Sequence, residues 1–124
     1  MSRVKFNLEF HFRTSPTIVY EFLTSPDCLT RWFCEDCNMK DDSYIFSWEG
    51  SEEIAYILED IEEEYLSLQW EDYPTEYLEF KIYKGEITGQ TILEITAFCD
   101  DDEVKQEKAY WQTQISNMKH AMGL

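Results

Sequence analysis

The side chains of this chain that could do chemistry are four cysteines, two histidines and twenty-six carboxylates. Cys34-x-x-Cys37, with Cys28 close by, has the spacing of half a zinc site. A structural zinc needs four ligands, usually from two such pairs. The sequence has no second Cys-x-x-Cys, so His11, Cys99 or an acid would have to complete the set. A redox pair would want the βαβ surroundings of a thioredoxin-like motif, which are missing. The simpler reading makes Cys28 a small apolar helix residue and Cys34 and Cys37 loop thiols, all reduced in a cytoplasmic protein. Neither a metal nor a cofactor is expected. His11 falls on the polar face of a strand, and His120 sits near a helix C-terminus, where a cation suits the dipole. Neither has a triad partner nearby, and there is no nucleophile elbow. Acids acting as a general acid–base pair are the remaining route to catalysis, but the sequence singles out no pair. A non-enzymatic role is therefore favoured over catalysis.

The other chemically informative residues are aromatic. They make up 16% of the 124 residues, within a hydrophobic content of 44%. This is ample for the core of one domain spanning residues 1–124. The net charge is −16, and it is unevenly placed. Residues 41–103 carry twenty acids against Lys81 and Lys84, while residues 1–40 are balanced. Such a surface repels phosphate backbones and anionic lipid heads, which argues against nucleic-acid and membrane partners. It is either a solubilising face or a dock for a basic protein. No stretch approaches the roughly 20 apolar residues of a membrane span, and the N-terminus alternates instead of forming a signal-peptide core.

The elements that must position these residues follow from periodicity. Val4, Phe6, Leu8, Phe10 and Phe12 alternate with polar residues, which predicts a half-buried strand over 4–12. Two Thr-Ser-Pro segments then open two short helices, with Ser15 and Ser25 as caps and Pro16 and Pro26 at the first helical position. The second helix is expected to end near Trp32-Phe33. Residues 34–43 read as a polar loop. Strands are predicted over 44–48, 52–60, 65–71, 76–83 and 90–99, joined by short turns that favour antiparallel pairing. In the strands at 52–60 and 90–99 both faces carry apolar residues, so their inward face is open. A long helix over about 103–122 presents Val104, Lys108, Trp111, Ile115, Met118 and Met122 as one stripe. The acid run Asp100–Glu103 meets its positive end and is expected to supply capping oxygens. The fold class is therefore α+β: a curved antiparallel sheet of about six strands covered by the terminal helix, with the short helices closing one end.

This order resembles the helix-grip fold of the START-like (SRPBCC) superfamily, and in particular the small domains related to activator homologues of the heat-shock 90 ATPase. The resemblance rests on Ser15-Pro16 to Leu23 followed by Ser25-Pro26 to Phe33, on Phe46-Ser47-Trp48-Glu49-Gly50, on Glu59 through Leu66 to Trp70, and on Trp111 in the last helix. It departs at Tyr110, where a glycine is common, at Cys34 and Cys37, and in the strong acidity. The resemblance implies a pocket between sheet and helix, used in many relatives for apolar or aromatic molecules. The residues expected to line it are Phe10, Trp32, Phe33, Phe46, Trp48 and Tyr56 from the first half of the chain. Trp70, Phe80, Trp111, Ile115 and Met118 complete the lining. Tyr56 or Trp48 would offer a polar handle. The leading expectation is a binder of an apolar small molecule, as a monomer or homodimer. The alternatives are an acidic, cochaperone-like adaptor and, because the superfamily it resembles includes cyclases and hydratases, a small enzyme of that kind.

Overall fold

A computed structural model describes residues 2–124. Its elements are β1 (Arg3–Phe12), α1 (Pro16–Thr24), α2 (Pro26–Leu29), β2 (Asp36–Lys40), β3 (Ser43–Trp48), β4 (Ser51–Ile61), β5 (Tyr65–Trp70), β6 (Tyr77–Lys84), β7 (Thr91–Asp100) and α3 (Val104–Ala121). The strands form one antiparallel sheet in the order β1-β7-β6-β5-β4-β3-β2. The order follows from short hairpins that pair each strand with its neighbour, plus one closure in which β1 joins β7. The fold is the α+β architecture expected from the sequence, with seven strands instead of about six.

The extra strand is β2, which lies where a loop was expected. It is an edge strand, paired only with β3, and Cys37 is its only buried residue. An edge strand with one buried position leaves no alternation to read. Cys37 therefore lies in a strand, while Cys34 lies in the connection before it; both are buried, as are Cys28 and Cys99, and all four are free. Burial pushes the Cys34 thiol up to about 12 and the Cys37 thiol up to about 11.

Hairpin geometry fixes which face looks inward. Glu49 and Gly50 both have positive φ (48° and 84°) and form the two-residue turn between β3 and β4. Turns of this type suit the right-handed twist of the flanking strands, and glycine takes the second position without strain. The turn pairs Trp48 with Ser51, Phe46 with Glu53 and Tyr44 with Ala55. Because paired residues share a face, the inner residues of β4 are Glu53 and Ala55. On β7 the inner set is Leu93, Ile95, Ala97 and Cys99, opposite Phe10, Leu8, Phe6 and Val4.

Helix starts met the expectations unequally. Ser15 caps α1 through a bond from the Ile18 N–H to its Oγ (3.4 Å). Ser25 makes no side-chain cap; instead its backbone N–H closes α1 on the Glu21 carbonyl. α2 stops at Leu29, and a turn carries Trp32 and Phe33 into the core. The acid run makes no side-chain cap on α3 either. Asp100 belongs to β7 and bonds Arg3 instead. α3 then lies across the inner face with Trp111, Ile115 and Met118 buried.

Candidate functional site

The first half of α3 and the adjoining end of the sheet do not close on each other. They enclose a cavity of about 420 Å³. Its floor is Phe33, Trp48, Trp70, Leu78, Ala97 and Trp111. Arg3, Tyr73, Glu76, Tyr77, Phe98, Ser51, Glu53, Glu107 and Tyr110 make its walls and mouth. Tyr73 and Tyr110 are 46% and 44% exposed, so the mouth opens between the β5–β6 turn and α3.

The floor is rigid because its aromatic rings hold one another. Phe33 stands edge-on to Phe46 at 4.9 Å and to Trp48 at 5.4 Å, and stacks on Trp111 at 6.1 Å. Edge-to-face and offset pairs at these separations are favourable beyond their buried area. Two of the indole N–H groups are spent on this scaffold. Trp48 Nε1 donates to the Phe33 carbonyl (2.8 Å), and Trp32 Nε1 donates to the Phe22 carbonyl (2.8 Å). Gln114 of α3 donates to the Trp32 carbonyl (2.7 Å), tying the terminal helix to the turn after α2. The rings of Trp48, Trp70 and Trp111 border the cavity.

The mouth is polar and organised by Arg3. Its guanidinium grips Glu76 with two bonds (2.7 and 2.8 Å), reaches Asp100 at 3.3 Å and lies over the Tyr73 ring at 4.9 Å. The bond to Glu76 is the main cause that raises the Arg3 pKa further, against the cost of burial. Bidentate pairing of this kind fixes geometry as well as charge. Burial, then Glu107, Cys34 and Glu53, raises the Tyr110 phenol above its ordinary value.

Four of the residues expected to line a pocket do so: Phe33, Trp48, Trp70 and Trp111. Trp32, Phe46, Phe80, Ile115 and Met118 are instead filled core. Phe10 is partly buried and packs against that core. Tyr56 is corrected outright. It is 43% exposed on the outer face, and its hydroxyl donates to Glu71 (2.6 Å). The β3–β4 turn puts Ala55 and not Tyr56 inside. Neither expected polar handle is therefore free, since Trp48 Nε1 is also committed. The residues missed were Leu78 and Ala97 of the floor and all those of the walls and mouth, among them Arg3, Glu53, Glu76 and Glu107. Glu53 could have been found from the two-residue turn, which sets the parity of β4. The meeting of Arg3 with Glu76, 73 positions apart, has no local signal.

Neither histidine lines the cavity. His11 bonds Glu9 on the outer face (3.1 Å). Among the described residues, Asp100, Asp102 and Glu103 are the one group of three acids, cysteines or histidines drawn together, on the β7–α3 turn. No helix is long and apolar enough to cross a membrane.

Solved structures share this architecture. An Aha1 dimer from Colwellia psychrerythraea superposes with a TM-score of 0.80 at 19% identity, covering 95% of each chain. A Bacteroides fragilis protein is 29% identical, with a TM-score of 0.69, over 100% of this chain and 94% of its own. An AHSA1-like protein from Aeromonas hydrophila matches at 17% identity and a TM-score of 0.76, over 97% of this chain and 92% of its own. No curated protein matches the sequence significantly. The START-like superfamily domain matches residues 1–124 throughout, and the chain belongs to that superfamily.

Proposed function

We propose that this chain is a non-enzymatic domain that holds an apolar or aromatic small molecule in the cavity beneath the first half of α3. The observation that carries this reading is the cavity itself, about 420 Å³ with a floor of aromatic and aliphatic side chains. Small-molecule sites have this size and this balance of apolar wall and few polar groups. Binding works by burying ligand surface against a rigid, preformed floor, so little ordering is left to oppose it. Catalysis is the weaker reading: no histidine lines the cavity and both Glu76 oxygens are held by Arg3, which leaves Glu53 and Glu107 as the lining carboxylates without an ion-pair partner. The superfamily's fold is compatible with small-molecule or protein binding, and the acidic outer face keeps an adaptor role as the second reading. On that face the hydroxyls of Tyr56, Tyr65 and Tyr83 donate to Glu71, Glu79 and Glu9.

Titration with N-phenyl-1-naphthylamine, a neutral aromatic probe that brightens on leaving water, tests the proposal. One saturable site per chain is expected, insensitive to salt and abolished by Ala97→Phe, which fills the floor. No saturable binding, or binding untouched by Ala97→Phe, would overturn it.

A further inference from the structure

The polar groups of the cavity point to the charge of its ligand. Glu53 is an acid at an inward position of β4, paired with buried Phe46 on the aromatic side of the sheet. Glu107 reaches the same cavity from α3, one turn before Trp111. Both are half-buried. The ion pairs among the described residues join Arg3 to Glu76 and Asp100, His11 to Glu9, and Lys81 to Glu79 and Glu94; none engages Glu53 or Glu107. Arg3 is the only cation in the lining, and its charge is already answered by Glu76 and Asp100. The cavity thus keeps two carboxylates unanswered. Beside them stand the rings of Trp48, Tyr110 and Trp111. Carboxylates and aromatic faces share one preference, since both attract a diffuse positive charge. An anionic ligand would meet repulsion from both.

We propose that the cavity takes an organic cation, an aromatic or alkyl ammonium compound, with its apolar body on the floor and its charged nitrogen between Glu53, Glu107 and the ring of Tyr110. Glu53 interrupts the apolar inner face and carries no structural bond that would explain it, so a cationic ligand supplies its partner. Burial and the nearby acids hold the Tyr110 hydroxyl protonated, leaving its ring neutral and able to face a cation without adding a third negative charge. This inference rests on the cavity being a ligand site, as proposed above.

The test compares phenyltrimethylammonium with its neutral isostere tert-butylbenzene and with benzoate, each as a competitor of N-phenyl-1-naphthylamine. The cation should bind about tenfold or more tightly than the neutral isostere, with benzoate weakest. The double variant Glu53→Gln/Glu107→Gln should bring the cation to parity while changing the tert-butylbenzene affinity less than twofold. Unchanged neutral binding also shows that the variant is folded; Glu107→Gln alone should give an intermediate loss. Equal affinities in the native protein, or a preference that survives both substitutions, would overturn the inference while leaving the cavity reading intact. Failure of the naphthylamine probe itself would overturn both.

Discussion

The two ends of α3 lie on the same sheet face and meet it differently. Toward the C-terminus, Ile115 and Met118 are 2% and 0% exposed within a core that also holds Phe12, Leu23 and Leu93. Toward the N-terminus, Trp111 alone is buried, Glu107 and Tyr110 flank it, and the sheet beneath borders the cavity with Ala97 and Leu78. The difference is one of volume. At the closed end large side chains fill the gap between helix and sheet; at the open end the small Ala97 leaves it, and tilted aromatic rings hold its margins. One helix therefore anchors the fold at one end and roofs a cavity at the other. A domain that kept a hollow without a packed counterpart would have little stability to support it.

The largest effect should come from breaking the closed end. Met118→Ala removes a fully buried side chain and should cost about 2–5 kcal/mol, as deletions in packed cores do. The lower urea midpoint should come with unchanged affinity for the naphthylamine probe in the folded fraction.

Next is the charged clamp at the open end. Arg3→Leu leaves the Glu76 carboxylate, whose side chain is 9% exposed, without its partner. An unanswered buried acceptor should cost about 1–3 kcal/mol. Arg3→Lys should recover only part of this, because an ammonium cannot reproduce the two-pronged bond. Thermal unfolding of the two variants measures the gap.

A matched pair of enlargements sharpens the contrast between filled and hollow parts of the sheet. Ala55 is 0% exposed and faces filled core, so Ala55→Leu should overpack it at about 1–3 kcal/mol. Ala97→Leu adds the same atoms beside open volume and should change stability by less than about 1 kcal/mol, within the range seen where no packing is disturbed. It should nonetheless weaken probe binding. Equal costs at the two sites would remove the distinction.

The last effect is one of solution conditions, a pH slope. Cys34 and Cys37 ionise only toward about 12 and about 11 in the folded protein, against an ordinary value of 9.0. Above pH 9 the unfolded chain gives up these protons first. The stability from the neutral buried thiols is thus complete below pH 9 and is lost as pH rises toward the folded values. Urea midpoints at pH 8 and pH 10.5 should fall less in Cys34→Ala/Cys37→Ala than in the native sequence.

The closed end was the more legible half. Phe12, Ile115 and Met118 sit on clean strand and helix periods, which is how core announces itself. The open end was half legible: its aromatic floor stood out by residue type, but aromatic stripes are shared by floor and core, and only volume separates Trp48 from Phe46. Hydropathy does not decide the inward face of β4, since apolar residues stand on both faces, and the Glu49-Gly50 turn is what sets its parity with Ala55 inside. β2 left no trace in hydropathy, and the Arg3–Glu76 clamp depends on β1 closing the sheet against β7, a pairing between the ends of the chain.

The most direct test is an isotope-filtered NMR experiment on the protein with tert-butylbenzene bound. Cross-relaxation from the ligand should reach the methyl groups of Ala97 and Leu78 and none of those of Met118, Ile115 or Leu93. Contacts at the Met118 end, or no protein contacts at saturating ligand, would contradict a hollow confined to the first half of α3.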